Sequence, residues 1–222
     1  MVVVVILAAL LGAVLIADRV AVIRAQDRMA RRIEARGFSA RPHVVITGFP
    51  FLTQMAAGRL SEVVIRAAGK KLGPVEVKHL DLTLNGVQGR FSGRGRTVSQ
   101  LSGTALVGFP GLAGISGTPG LTLSADGPDR MKITVGFGQV TGTATARVTR
   151  AGVGGIRIVV ISAAGIPVAV LGALRDISLP LPALPLGMTI QSVSITGTGV
   201  LVHIAGQNVS FGSTGNHLSS SP

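Results

Sequence analysis

The sequence predicts an α+β chain, one long N-terminal helix followed by a mostly β domain, and three observations carry that reading. Met1 to Ala17 contains no charged side chain and little besides Val, Leu, Ile and Ala. Asp18 to Arg36 keeps a helical period while filling with arginine. From His43 onward the apolar residues come in strand-sized runs cut by Gly, with no second block long enough to cross a bilayer.

As a helix, the first run would be ~26 Å long, at the short end of what spans a membrane. In the next stretch Val22, Gln26 or Ala25, Met29 and Ile33 fall on one face and the arginines on the others, with Gly37 as a stop. A single continuous helix is expected. Its arginines form either a solvated face beside a packed stripe or a contact with lipid phosphates. Arginines close behind a span normally stay cytoplasmic. A secretory signal needs a basic n-region and a small-x-small cleavage site, and Leu15-Ile16-Ala17 is a poor one. We therefore expect a basic leader upstream of Met1 and an uncleaved anchor. The organisation expected is an anchor over residues 1–17, one domain over 18–216 and a flexible tail over 217–222.

The strands follow a period of two. His43–Thr47 and Glu62–Arg66 flank a turn-and-helix segment, in which Pro50 fixes the backbone and Thr53 is placed to cap a short helix over Gln54–Ala57. Val75–Val77 and Leu80–Leu84 alternate in opposite phases, which places a β-bulge at Lys78–His79. Further strands are expected over Thr104–Val107, Leu121–Ala125, Met131–Val135, Gln139–Val148, Ile156–Ile161, Met188–Ile195, Val200–Ile204 and Asn208–Phe211. Pro167–Arg175 reads as a second short helix, and Leu179–Pro185 as an extended connector. Val44-Val45-Ile46, Val63-Val64-Ile65 and Ile158–Ile161 are apolar on both faces, which implies cover on both sides of the sheet.

Charge is unevenly placed in this chain of net charge +12. The basic residues crowd the first half, and no Asp, Glu, Lys or Arg follows Asp176. An anionic partner near one end of the fold follows. Nucleic acid fits poorly, because no aromatic platform accompanies the arginines. Anionic lipid headgroups beside a membrane segment fit better. The absence of cysteine rules out disulfides and thiolate chemistry. His43, His79, His203 and His217 are isolated, without metal-ligand spacing, and no Gly-x-Ser-x-Gly elbow is present. Asp126 and Asp129 flank Gly127-Pro128, a turn composition. No catalytic residue, metal or cofactor is expected.

The most specific segment is Gly48-Phe49-Pro50-Phe51-Leu52-Thr53-Gln54, followed by Gly58 and the Val63-Val64-Ile65 run. It resembles the opening of the LmeA-like phospholipid-binding family of actinobacterial envelope proteins. The likeness continues through Val77–Val87, the Leu181–Gly187 block and the closing hairpin to Ser210. Thr196-Gly197-Thr198-Gly199 departs from the acidic residue that related chains often carry there. The resemblance implies a long helix packed on a strongly curved antiparallel sheet, similar to the tubular lipid-binding (BPI-like) folds. It also implies an N-terminally anchored protein on the extracytoplasmic face of the membrane, with an anionic phospholipid of the phosphatidylinositol type as partner.

In that reading Phe49, Phe51, Leu52, Met55, Phe109, Leu112, Phe137, Val168, Leu171 and Leu174 are the candidates to line an acyl-chain cavity. They are chosen for size and for placement at strand ends and on the second helix. Lys70, Lys71, Arg90, Arg94 and Arg96 are the candidates to meet the headgroup or the membrane surface. Gly108-Phe109-Pro110 repeats the Phe-Pro theme and is expected to form a second corner. The rival reading is an accessory envelope protein with a dry core that binds a membrane partner; an enzyme acting on lipid-linked glycans is third.

Overall fold

The apolar run and the arginine-rich stretch fold as one helix, α1 (Val2–Glu34). Side chains of its first half are exposed, whereas Val22 and Ala30 are buried and Ala21, Ala25, Met29 and Ile33 pack against the core. The expected face of Val22, Ala25, Met29 and Ile33 is therefore the packed one. Past the helix, Gly37 takes a left-handed φ of 93° that suits glycine.

The computed structural model describes residues 1–35, 37–72, 75–89, 96–115, 118–137, 140–152, 155–166, 176–180 and 187–211. After α1 come β1 (His43–Thr47), α2 (Phe51–Ala56), β2 (Arg59–Leu72), β3 (Val75–Gln88), β4 (Arg96–Gly108) and α3 (Phe109–Ile115). Then follow β5 (Leu121–Ala125), β6 (Arg130–Phe137), β7 (Val140–Ala151), β8 (Gly155–Ala164), β9 (Asp176–Pro180), β10 (Met188–Thr196) and β11 (Gly199–Phe211). The expected tail and the second helix over Pro167–Arg175 lie outside the described residues.

The class is α+β, with the strands divided between two antiparallel sheets. The first has the order β1-β2-β3-β4-β11-β10, the second β5-β6-β7-β8-β9. The division falls where Gly108-Phe109-Pro110 ends β4 and starts α3, carrying the chain off the first sheet. The sheets are joined where β10 meets the second sheet. There Ile195 N–H donates to the Pro128 carbonyl at 2.7 Å, and Arg150 reaches the Ile190 carbonyl at 3.1 Å.

Strand pairing explains the burial pattern. Ile46, Val63, Leu84 and Leu101 are cross-strand neighbours, and all four are buried. Leu60, Val87, Val98 and Val209 form a second such row. On the second sheet Met131 and Ile133 pair with Ala146 and Ala144 on the buried face. Large residues face small ones there, which lets the layers interdigitate.

The bulge expected at Lys78–His79 is present as a register shift between Val77 and His79. Val200–Ile204 and Asn208–Phe211 are one strand rather than two, because Gly206 and Gln207 keep pairing with Leu101 and Gln100. Leu179 and Pro180, expected in a connector, close β9 at the edge of the second sheet, where a proline is tolerated. The doubly apolar runs are not covered on both sides: Val45 and Val64 pair with each other on the outer face and half-bury one another, and Ile161 is exposed.

Candidate functional site

The first sheet has two ends that differ in chemistry. Thr47, Arg59, Gln88 and Arg96 mark one end; Leu72, Val75, Gly108 and Gly199 mark the other. From Arg59 to Lys70 along β2 is about 36 Å at strand rise. α1 runs beside the sheet from the first end, where Asp18 meets α2, to the second, where Ser39 N–H donates to the Gly69 carbonyl at 3.0 Å.

The first end carries the Gly-Phe-Pro-Phe corner. Gly48 has a φ of 100°, the Phe49–Pro50 peptide is cis, and Pro50 stands at the cap position of α2. Thr53 does not cap this helix. Asp18 does so from α1, accepting from Leu52 N–H at 2.8 Å. The carboxylate thus satisfies one of the free donors at a helix start that proline cannot serve with a side chain. Gln54 ties the helix to β2, its Oε1 accepting from Ser61 N–H at 2.8 Å and from Ser61 Oγ at 3.0 Å.

The corner separates its apolar side chains. Phe51 is buried in the core, while Phe49, Leu52 and Met55 are exposed. The guanidinium of Arg19 lies 5.3 Å from the centre of the Phe49 ring. Among the described residues α1 is the one helix long and apolar enough to cross a membrane, and Asp18 and Arg19 follow its uncharged run directly.

The second end carries the Gly108-Phe109-Pro110 corner, which continues as α3. Phe109 is buried, and its N–H donates to the Thr198 carbonyl at 3.4 Å. Between α3 and β5 lies a cleft of about 540 Å³, lined by Phe109, Pro110, Ala113, Leu121, Leu123 and Thr198 among others. Leu112 is half-buried against the core beside it. Phe137 ends β6 opposite Val140, close to the start of β5; its side chain lies outside the described residues. Val168, Leu171 and Leu174 also lie outside them; Ile166 before them stands at Gly142, at this end of the second sheet, whereas Asp176 after them pairs with Val159 in the row of Arg147 and Arg130, at the other end of β6. The structure brings Phe109 and Leu112 together, and sets Phe49, Phe51, Leu52 and Met55 at the opposite end of the first sheet.

The basic candidates divide likewise. Lys70 sits at the cleft end, its ammonium 5.0 Å from the Phe38 ring centre. Lys71 is next to it on β2, with its side chain outside the described residues. Arg96 begins β4 at the other end, and Arg90 and Arg94 lie outside the described residues between Gly89 and Arg96. Sequence reasoning missed Lys78. Its chain packs so close to Gly108 that a Cβ there would lie 2.6 Å from Lys78 Cε. The bulge was the available signal, since it aims Lys78 at the second corner.

A second groove of about 760 Å³ opens on the outer face of the first sheet. Arg66, Asp81, Thr104, His203 and Ser192 cross it as one row of strand neighbours, with Arg66 Nε 3.6 Å from Asp81 Oδ1. The row is polar and open, unlike an acyl-chain site. Asp129 holds Arg147 at 3.1 Å beside a turn. Among the described residues no group of three or more His, Asp or Glu could hold a metal ion.

Residues 16–205 match the model of the family described as LmeA-like phospholipid-binding, and the chain belongs to that family. No curated protein and no solved structure matches it.

Proposed function

We propose that this family member is an outward-facing, membrane-anchored carrier of an anionic phospholipid that performs no covalent chemistry. α1 would remain as the anchor, and the acyl chains would enter the cleft between α3 and β5. The observation that carries the reading is that cleft: about 540 Å³, walled mainly by apolar side chains where α3 leads the chain from the first sheet into β5 of the second. Its size falls within that of small-molecule sites, roughly 300–1,000 Å³. A two-chain lipid of roughly thirty methylenes loses over ~20 kcal/mol on entering water, so a carrier must offer such an apolar lining.

Lys70 and Lys78 at the same end support an anionic headgroup, each basic residue near such a charge adding about 1 kcal/mol at low salt. The cleft stands about 36 Å along β2 from the anchored corner. A lipid held there would have left the bilayer, which favours carrying over sensing in place. A phosphatidylinositol-type headgroup is the member of this class that the family resemblance favours.

The rival reading is an accessory protein with a dry core, and the fully packed rows of the first sheet favour it. Organic extraction of the purified full chain followed by mass spectrometry separates the two. The carrier yields phospholipid, and Ala113→Trp, which fills the cleft, loses it while keeping a native circular dichroism spectrum. A wild-type chain that yields no phospholipid supports the accessory reading. Retention by the filled variant moves the lipid elsewhere.

A further inference from the structure

Three apolar side chains of the first corner remain in solvent although their backbone is firmly held. Phe49 is 55% exposed, Leu52 41% and Met55 38%, while Phe51 among them is 1% exposed. Leu52 and Met55 are three apart on α2 and so share a face. A lone exposed leucine needs no explanation, but three large apolar groups on one corner do.

The position of the patch along α1 identifies what covers it. Leu52 N–H is bonded to Asp18 at 2.8 Å, and Phe49 stacks under Arg19 at 5.3 Å. Asp18 and Arg19 are the first charged residues after the apolar run. The patch therefore lies at the depth where α1 would leave the hydrocarbon. Exposed apolar surface continues on α1 itself, with Val20 and Ile23 uncovered within about 8 Å beyond Asp18 along the axis.

We propose that Phe49, Leu52 and Met55 insert into the interface of the bilayer that α1 crosses, a second foot for the domain beside its anchor. The inference rests on the anchored reading of α1 above. Phe and Leu side chains on an interfacial segment bury at the headgroup–acyl boundary, where a neighbouring arginine can meet lipid phosphate. The Arg19 guanidinium lies 5.3 Å from the centre of the Phe49 ring, which sets a cation beside the patch. A carboxylate at this depth is costly against lipid, and Asp18 is covered by α2 and buried to 2% exposure. Arg59, exposed at the start of β2 at the same end of the sheet, adds to the attraction of an anionic surface. With helix and foot both engaged, the domain cannot swivel about a single span.

The chain lacks cysteine, so Phe49→Cys, Leu52→Cys, Met55→Cys and, on the exposed second sheet, Ser124→Cys each give one labelling position. The full chain carrying an environment-sensitive fluorophore is placed in phosphatidylcholine–phosphatidylglycerol vesicles. Labels at 49, 52 and 55 should be quenched by nitroxides on the acyl chains and several-fold less by aqueous iodide than the label at 124. Equal iodide quenching at all four positions, with α1 intact by mass, overturns the foot and leaves the anchor standing. Shielding from both quenchers means a protein neighbour covers the patch, which also overturns it. A chain that has lost α1 by mass removes the anchored reading and this inference together.

Discussion

Gly48-Phe49-Pro50 and Gly108-Phe109-Pro110 stand at opposite ends of the first sheet, and each leads the chain from a strand into a short helix with the same three residues. At the first, the helix begins after the proline, so Phe49 precedes the cap and its ring faces outward beside Arg19. At the second, the helix begins at Phe109 itself, and the ring turns inward against the cleft. A shift of two residues in where the helix starts thus reverses the side on which the aromatic falls. The motif specifies a corner; its surroundings decide whether that corner anchors, lines or fills.

The largest test of this contrast lies in the three phenylalanines. Phe51→Ala should cost about 3–5 kcal/mol, because it empties a fully enclosed site. Phe109→Ala should fall near 3 kcal/mol, since the adjoining cleft already admits solvent to the space it leaves. Phe49→Ala should change fold stability by no more than about 0.5 kcal/mol. Urea unfolding of the full chain in detergent, followed by far-UV circular dichroism because the chain has no Trp or Tyr, gives the order. A Phe49 variant as unstable as the Phe51 variant would break the comparison, showing both rings to be core.

Much of the fold was legible where one face of a strand is buried. β1 and β5 have the bounds that the sequence suggested, β1 from its apolar run and β5 from its alternation, and the phase reversal at Lys78–His79 marked the bulge. Strand lengths were less legible. β2 extends from Glu62–Arg66 out to Arg59 and Leu72: Leu60 and Ala67, just outside that run, are themselves buried, and backbone pairing with β3 continues to both ends. The cleft left almost no trace, since Ala113, Gly114, Thr118 and Thr198 shape it by being small. The aromatic corner was visible as a motif, but not the side to which its rings turn. That depends on Asp18, which is 34 residues from Leu52 in sequence and carries no local signal as a cap.

Asp18 supplies the next, smaller test. Asp18→Ala removes the acceptor for Leu52 N–H and should cost about 1–2 kcal/mol, as loss of an N-cap does. Asp18→Asn keeps a side-chain oxygen there and should lose less. Thr53→Ala should be neutral within about 0.5 kcal/mol, because Thr53 is exposed and makes no capping bond. The same unfolding measurement ranks the three. A Thr53 effect equal to that of Asp18 would mean that α2 is capped from within, as its sequence suggested, and that the first corner is not tied to α1.

The finest distinction concerns the glycine that opens each corner. Gly48 holds a φ of 100°, a conformation that side chains rarely adopt, and an added Cβ would sit 2.5 Å from Gln54 Nε2. Gln54 has little room to yield, because its oxygen is bonded to both Ser61 N–H and Ser61 Oγ. Gly48→Ala should therefore cost about 1 kcal/mol or somewhat more, and should loosen the link between α2 and β2. Gly108 has no such backbone requirement, and its added Cβ would meet the far end of the Lys78 chain, which can swing aside. Gly108→Ala should stay within about 0.5 kcal/mol of wild type. If Gly108→Ala proves the costlier change, the close packing of Lys78 on the second corner is rigid, and the two corners are built alike after all.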